Sequence, residues 1–164
     1  MEELNIKEQE YLSPDLQLIL FTINQVEYAV NIKNVVEVIK IMPLTILPEA
    51  PRFIKGVVNL RGKVVPIMDL RQRFGIDVSQ NTKKTSVIIV RVQNSEIGII
   101  VDSVIDVLNL HSDTVEPSLP VIEGLKSEFV DGVAKAEKKL IVIINIEKIF
   151  TSHEKLLLKE KFNE

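Results

Sequence analysis

Few side chains in this sequence have the type and spacing for bond-making chemistry. His111 and His153 stand far apart, neither belongs to an H-E-x-x-H pattern, and there is no cysteine to complete a metal set. Neither forms an evident nucleophile and base arrangement, so both read as solvated side chains. Asp69 ends an apolar run, with Gln72 three residues on and Gly75 beyond, and reads as the N-cap of a short helix that the glycine stops. Asp102 and Asp106 fall in an alternating stretch and read as outward-facing rather than as an acid and base pair. Neither G-x-x-x-x-G-K-[ST] nor G-x-G-x-x-G occurs, which leaves nucleotide binding without support. What remains is recognition. Arg61, in Asn59-Leu60-Arg61-Gly62, carries a bidentate cation at or next to a turn. Three readings of it stand: a solvated turn residue, a local pair with Glu37 that pins the connection, or a contact to a partner.

The element that must position Arg61 covers residues 53–75. Val57 and Val58 suit a strand, the Asn59–Gly62 stretch interrupts it, and residues 64–68 resume it, so the two runs form a hairpin followed by a short helix. Before it come strands at 18–23 and 27–30 around an Asn24-Gln25 turn, a helical turn at 32–35, and a strand through Glu37, Val38 and Ile39. Pro43, Pro48 and Pro51 mark an irregular connection. Residues 1–15 read as a flexible tail and 77–84 as a polar link.

The second half repeats the first. At an offset of about 69, Leu18-Ile19-Leu20-Phe21 falls on Val87-Ile88-Ile89-Val90, Glu27 on Glu96, Glu37 on Asp106, Val38 on Val107, Thr45 on Thr114 and Pro48 on Pro117. After an insertion in the 120–126 region the offset becomes about 76, so that Phe53 meets Phe129, Gly56 meets Gly132, Asp69 meets Asn145 and Phe74 meets Phe150. The units are 16–75 and 85–150, each of about five short strands and a short helix, which predicts small barrels or a sandwich. Each half is near the size where a core is marginal, so the halves should share an apolar interface, with strands open to exchange between them. Residues 151–164 read as a C-terminal helix: Thr151 and Glu154 form a capping box, and Leu157, Leu158 and Phe162 are apolar positions for packing on a barrel. Positions shared by both copies serve the fold. The copies part at the hairpin, where the second has Lys135-Ala136-Glu137-Lys138, so Arg61 is not needed to build the unit and is the best internal site candidate.

Composition narrows the function classes. The 164 residues are 46% hydrophobic, enough for a core. A net charge of −3, 5% aromatics and no tryptophan argue against a phosphate-backbone or single-strand binder. No apolar run reaches the roughly 20 residues of a membrane helix, and the start lacks a signal-peptide core, which points to the cytoplasm. No cofactor or metal is expected, and an enzyme is the least favoured class.

Two long motifs, G-V-V-N-L-R-G at 56–62 and V-V-P-I-M-D-L-R-Q-R-F-G at 64–75, resemble the signature of the CheW family of chemotaxis coupling proteins. The likeness continues through Tyr28-Ala29-Val30, Val36-Glu37-Val38, Ile99-Ile100-Val101-Asp102 and Gly132-Val133-Ala134, and covers roughly residues 16–150 in order. It implies a mostly β fold of two small SH3-like five-stranded barrels around a common core, with short helices and a C-terminal helix. It implies a non-catalytic adaptor that holds the histidine kinase CheA, through the kinase's regulatory domain, against the cytoplasmic tips of chemoreceptors. Such a protein would be monomeric alone, would assemble with CheA into rings or arrays, and would neither enter the membrane nor bind nucleic acid. The resemblance ties Arg61 and Glu37 to receptor coupling. It links Val36, Gly56, Val87 and Val107 to the receptor-facing groove, although barrel core is the simpler reading of the valines and fold the simpler reading of Gly56. Kinase-contact residues are not assigned. The alternatives are a barrel that binds single-stranded nucleic acid or oligosaccharide, and a CheV-like or CheA-derived module, for which too few residues lie outside the repeat.

Overall fold

A computed structural model describes residues 15–78, 80–117, 127–136 and 138–162. The expected tail up to residue 14, the 120–126 insertion and Glu137 of the second hairpin lie outside the described residues. In order, the elements are β1 (Leu16–Ile23), β2 (Val26–Asn31), β3 (Val35–Lys40), β4 (Gly56–Leu60), β5 (Lys63–Asp69), α1 (Leu70–Arg73), β6 (Ser86–Val92), β7 (Ser95–Val101), β8 (Ser103–Leu110), β9 (Val115–Glu116), β10 (Val130–Ala136), β11 (Lys139–Ile144) and α2 (Ser152–Phe162). Short 3-10 turns fall at Ile32–Asn34 and Ile146–Ile149.

The strands form two curled sheets, and each draws on both copies of the repeat. One runs β3-β6-β7-β5-β4 and the other β8-β1-β2-β11-β10-β9. The first copy therefore keeps β3, β4 and β5 together but gives β1 and β2 to the other sheet, while the second copy returns β6 and β7. Each sheet closes on itself. The chain beyond β3 comes back to β4 through Thr45, whose N–H and C=O exchange bonds of 2.9 and 2.8 Å with Val57. The chain beyond β8 comes back to β10 through β9, which pairs Glu116 with Val133. These are two small SH3-like barrels, one per sheet.

The two closures correct the register of the repeat. Thr45 meets Val57 as Glu116 meets Val133, so Thr45 plays the part of Glu116, not of Thr114, and the offset has already slipped before the insertion. The paired glycines explain why. A Cβ on Gly56 would stand 2.8 Å from the Thr45 carbonyl oxygen, and one on Gly132 would stand 2.7 Å from that of Glu116. Both glycines exist to let the closing strand cross close by, which is the role a strand glycine commonly has.

Because barrels pack against barrels, the central strands are buried on both faces and read as continuous apolar runs. Alternate residues feed different cores. Ile88, Val90, Ile97, Ile99, Phe21, Tyr28 and Val142 build the core between the barrels, and an aromatic row of Phe21, Tyr28, Phe74 and Phe129 runs through it with centroids 5.2–6.3 Å apart. Val87, Ile89, Val65, Ile67 and Ile100 fill the β3–β7 barrel, whereas Leu18, Ala29, Ile141 and Ile143 fill the other. Helix α2 starts with the expected capping box, Glu154 N–H to Thr151 Oγ1 at 3.0 Å and Thr151 N–H to Glu154 Oε1 at 2.8 Å, and lays Leu158 and Phe162 on the shared core.

Candidate functional site

The hairpin that carries Arg61 is tighter than its sequence implies. Strand β4 runs through Leu60, so Asn59 and Leu60 belong to the ladder and the turn is Arg61-Gly62 alone. Their φ values of 53° and 84° make a two-residue left-handed turn, the kind whose twist matches the flanking strands. Asn59 supports it by accepting from the Gly62 N–H at 2.9 Å. A non-glycine residue at positive φ is uncommon, and here it sets Arg61 at the very tip with its side chain 73% exposed.

The tip reaches across the seam of the barrel. Strands β3 and β4 are the two ends of the five-stranded sheet, and Arg61 Nη2 donates to Glu37 Oε2 on β3 at 2.5 Å. The Glu37 hydrogen bond and then its charge hold the guanidinium pKa above its ordinary value, with Glu96 adding to the effect and slight burial opposing it. The local pair with Glu37 forms, yet both groups keep solvent access, so solvent screening leaves the pair a weak contributor to stability.

Val36 is also at this seam. The β3–β6 register shifts between Val35 and Glu37, so Val36 is a bulge residue, and it is exposed together with Val38. Its equivalent in the other barrel, Ile105, is likewise a bulge residue, between the pairs Leu20–Asp106 and Phe21–Val104. Val107 is exposed too, but on β8 in the other sheet. Barrel core therefore does not account for Val36 or Val107. It does account for Val87, fully buried among Ile67, Ile89 and Val58, and Gly56 is buried beneath Thr45. The structure brings Glu37, Arg61 and Val36 to one seam, places Val87 and Gly56 inside the same barrel, and leaves Val107 on the other.

Two sequence readings change, those of Asp102 and His111, and that of Asp69 is extended. Asp102 is only partly turned to solvent: its carboxylate accepts from Arg71 Nη1 at 3.2 Å and from the Asn24 N–H at 2.7 Å. Asp69 caps α1 as expected, accepting the Arg71 N–H at 3.0 Å, but it is also one side of a buried ion pair with the Arg71 guanidinium at 2.9 Å. His111 is half-buried near Asp15 rather than solvated. The D-L-R spacing that places the Asp69 and Arg71 side chains together was the one available signal for that network. Among the described residues, no three His, Asp or Glu side chains gather as for a metal, and no helix is long and apolar enough to cross a membrane.

The CheW-like domain family model matches residues 17–154. The chain is 34% identical over 140 residues to a probable chemotaxis protein CheW of Rhizobium etli, spanning 85% of this chain and 90% of that one. It is 33% identical over 142 residues to the chemotaxis protein CheW of Klebsiella aerogenes, spanning 87% and 86%. The crystal structure of the scaffolding protein TtCheW from Thermoanaerobacter tengcongensis superimposes with a TM-score of 0.77 at 36% identity, covering 86% of this chain and 95% of that one. Two closed barrels with exchanged strands, the N-L-R-G hairpin and a domain match over nearly the whole described length lead to one assignment: this chain belongs to the CheW family.

Proposed function

We propose that this protein is a non-catalytic chemotaxis adaptor in the cytoplasm, holding the regulatory domain of a CheA-type histidine kinase against the cytoplasmic tips of chemoreceptors. The observation that carries the reading is the seam: an exposed arginine at a strained hairpin tip, paired with a half-exposed glutamate and flanked by the exposed Val36 and Val38. A charge pair open to solvent can trade its internal partner for an external one at small cost, which suits recognition more than folding. Glu37, Arg61 and Val36 would touch the receptor directly. Val87 and Gly56 would act from beneath, by setting the shape of the barrel wall. Val107, on the second barrel, would meet the partner only if it spans both. Two barrels with different exposed ends fit a linker between unlike partners, because heterologous contacts extend or close into rings according to their rotation.

The test is a charge swap. Arg61→Ala should leave the protein folded by circular dichroism and weaken capture of a receptor-tip fragment. The double variant Glu37→Arg/Arg61→Glu keeps an internal pair with reversed polarity. If the pair only pins the barrel, the double variant binds like the parent; if a receptor reads these charges, it stays defective. An Arg61→Ala protein that unfolds, or a swap that restores full binding, refutes the site.

A further inference from the structure

The inward-facing rows of the β3–β7 barrel end on charges. In a strand every second side chain shares a face. Ile67 and Val65 are followed on that face by Lys63, Val87 and Ile89 by Arg91, Ile100 and Gly98 by Glu96, and Ile39 by Glu37. Four strands therefore finish at one mouth with a charged residue apiece, and Arg61 leans over it from the hairpin tip. Arg91 and Glu96 are direct cross-strand partners, with Nη2 donating to Oε2 at 3.1 Å, and Lys63 stands 3.6 Å from the same oxygen. The carboxylates sit deeper than the cations: Glu96 is 17% exposed, whereas Arg91 is 58% and Lys63 37%. Three cations over two carboxylates leave the outermost charge positive.

The second barrel shows that this arrangement is not demanded by the fold. Its inward rows end on Thr22, Glu27, Asp106 and Lys139, so Lys139–Glu27, 3.2 Å apart, reproduces Lys63–Glu96. The counterpart of Arg91 there is a threonine, and Arg61 has a glutamate at its position in the sequence. Over longer stretches the same contrast holds. Residues 35–102 carry ten Lys and Arg against six Asp and Glu, and residues 103–150 carry five against eight.

We propose that Lys63 and Arg91 extend the Arg61 site into a cationic mouth that docks an acidic segment of the receptor, with Glu96 as the half-buried counter-charge that spaces the two cations. This rests on the proposed adaptor function and names the chemistry of the surface it recognises. The oriented cations would steer and register a carboxylate-bearing partner, an effect that acts chiefly on association rate and salt dependence.

The experiment measures binding of the full-length protein to the receptor-tip fragment across a salt series, for three variants whose fold is checked by circular dichroism. Lys63→Gln/Arg91→Gln should weaken binding about tenfold at low salt, the scale of a steering effect, and flatten the salt slope. Glu96→Gln should do the opposite, tightening binding and steepening the slope, which loss of a purely structural ion pair would not do. Arg61→Ala weakens binding under either view. Unchanged affinity and slope in Lys63→Gln/Arg91→Gln, alongside a defective Arg61→Ala, overturn the cationic mouth and leave the adaptor reading standing. An undiminished Arg61→Ala overturns both. Salt-sensitive self-association of the parent that Lys63→Gln/Arg91→Gln abolishes would make the acidic mouth of a second copy the occupant and overturn the receptor assignment.

Discussion

Replacing Arg71 by methionine should be among the most damaging single changes on this chain, although the residue touches no proposed partner surface. The guanidinium is 3% exposed and makes four hydrogen bonds: Nε and Nη2 to the two oxygens of Asp69 at 2.9 and 3.0 Å, Nη1 to Asp102 at 3.2 Å and Nη2 to Asn81 at 3.1 Å. Burial alone would lower its pKa, but the Asp69 bond and charge, with help from Asp102, outweigh it and the net direction is upward. Asp102 also accepts from Asn24 at the β1–β2 turn, so the network ties α1 of one barrel to the hairpin of the other. In the methionine variant Asp69, itself 2% exposed, keeps its backbone bond to residue 71 and loses its counter-charge. Breaking one side of a buried pair costs about 3–5 kcal/mol. At about 2–4 °C per kcal/mol for a chain of this size, that is a Tm lower by roughly 6–20 °C. Urea unfolding should show the midpoint falling with an unchanged m-value. Asp69→Asn/Arg71→Met should recover a good part of the loss, since the one carboxylate left without its cation is the half-exposed Asp102, which keeps its bond from the Asn24 N–H. A single-variant loss below about 1 kcal/mol, or a double variant worse than the sum of the singles, would refute the view that an uncompensated Asp69 is the cause.

Two other perturbations test neighbouring parts of the argument. Gly56→Val should damage folding before binding, because its Cβ would press on the Thr45 carbonyl oxygen at 2.8 Å and the Leu44 Cβ at 2.9 Å, and overpacking against backbone costs about 1–3 kcal/mol or more; a stable Gly56→Val that merely fails to bind receptor would contradict it. The Ser112 side-chain hydroxyl, then its N–H, hold the Asp15 carboxyl below the usual aspartate range. A carboxyl whose pKa is lower folded than unfolded adds stability above its unfolded value and loses that contribution as pH falls through the folded one. Ser112→Ala should therefore raise the Asp15 titration midpoint seen by NMR and narrow its stability gap to the parent only in the acid range; a midpoint that does not move removes the hydroxyl as the cause.

Much of the architecture was open to reading because its signals are local. Period-2 patterns, turn residues and a self-match along the chain need no knowledge of what touches what, and the long N-L-R-G and D-L-R motifs carried the family. Arg61 stood out for the same reason: it lies in the hairpin where the two copies of the repeat part, beside strands whose apolar pattern they share. The tertiary structure decided what depends on closure. The sequence self-match cannot say which barrel a strand joins, and only the crossing of Thr45 over Gly56 shows where the copies truly align. Val36, Val87 and Val107 are one residue type in similar apolar surroundings, and a bulge in β3, a filled barrel and an edge strand put them in different places. Lys63, Arg91 and Glu96 lie far enough apart in sequence that nothing local marks them as one mouth; they meet because inward rows of separate strands end together when a sheet curls shut. For Arg71 the D-L-R spacing marks Asp69, but Asp102, which also meets the guanidinium, arrives from the end of another strand that only the fold brings near.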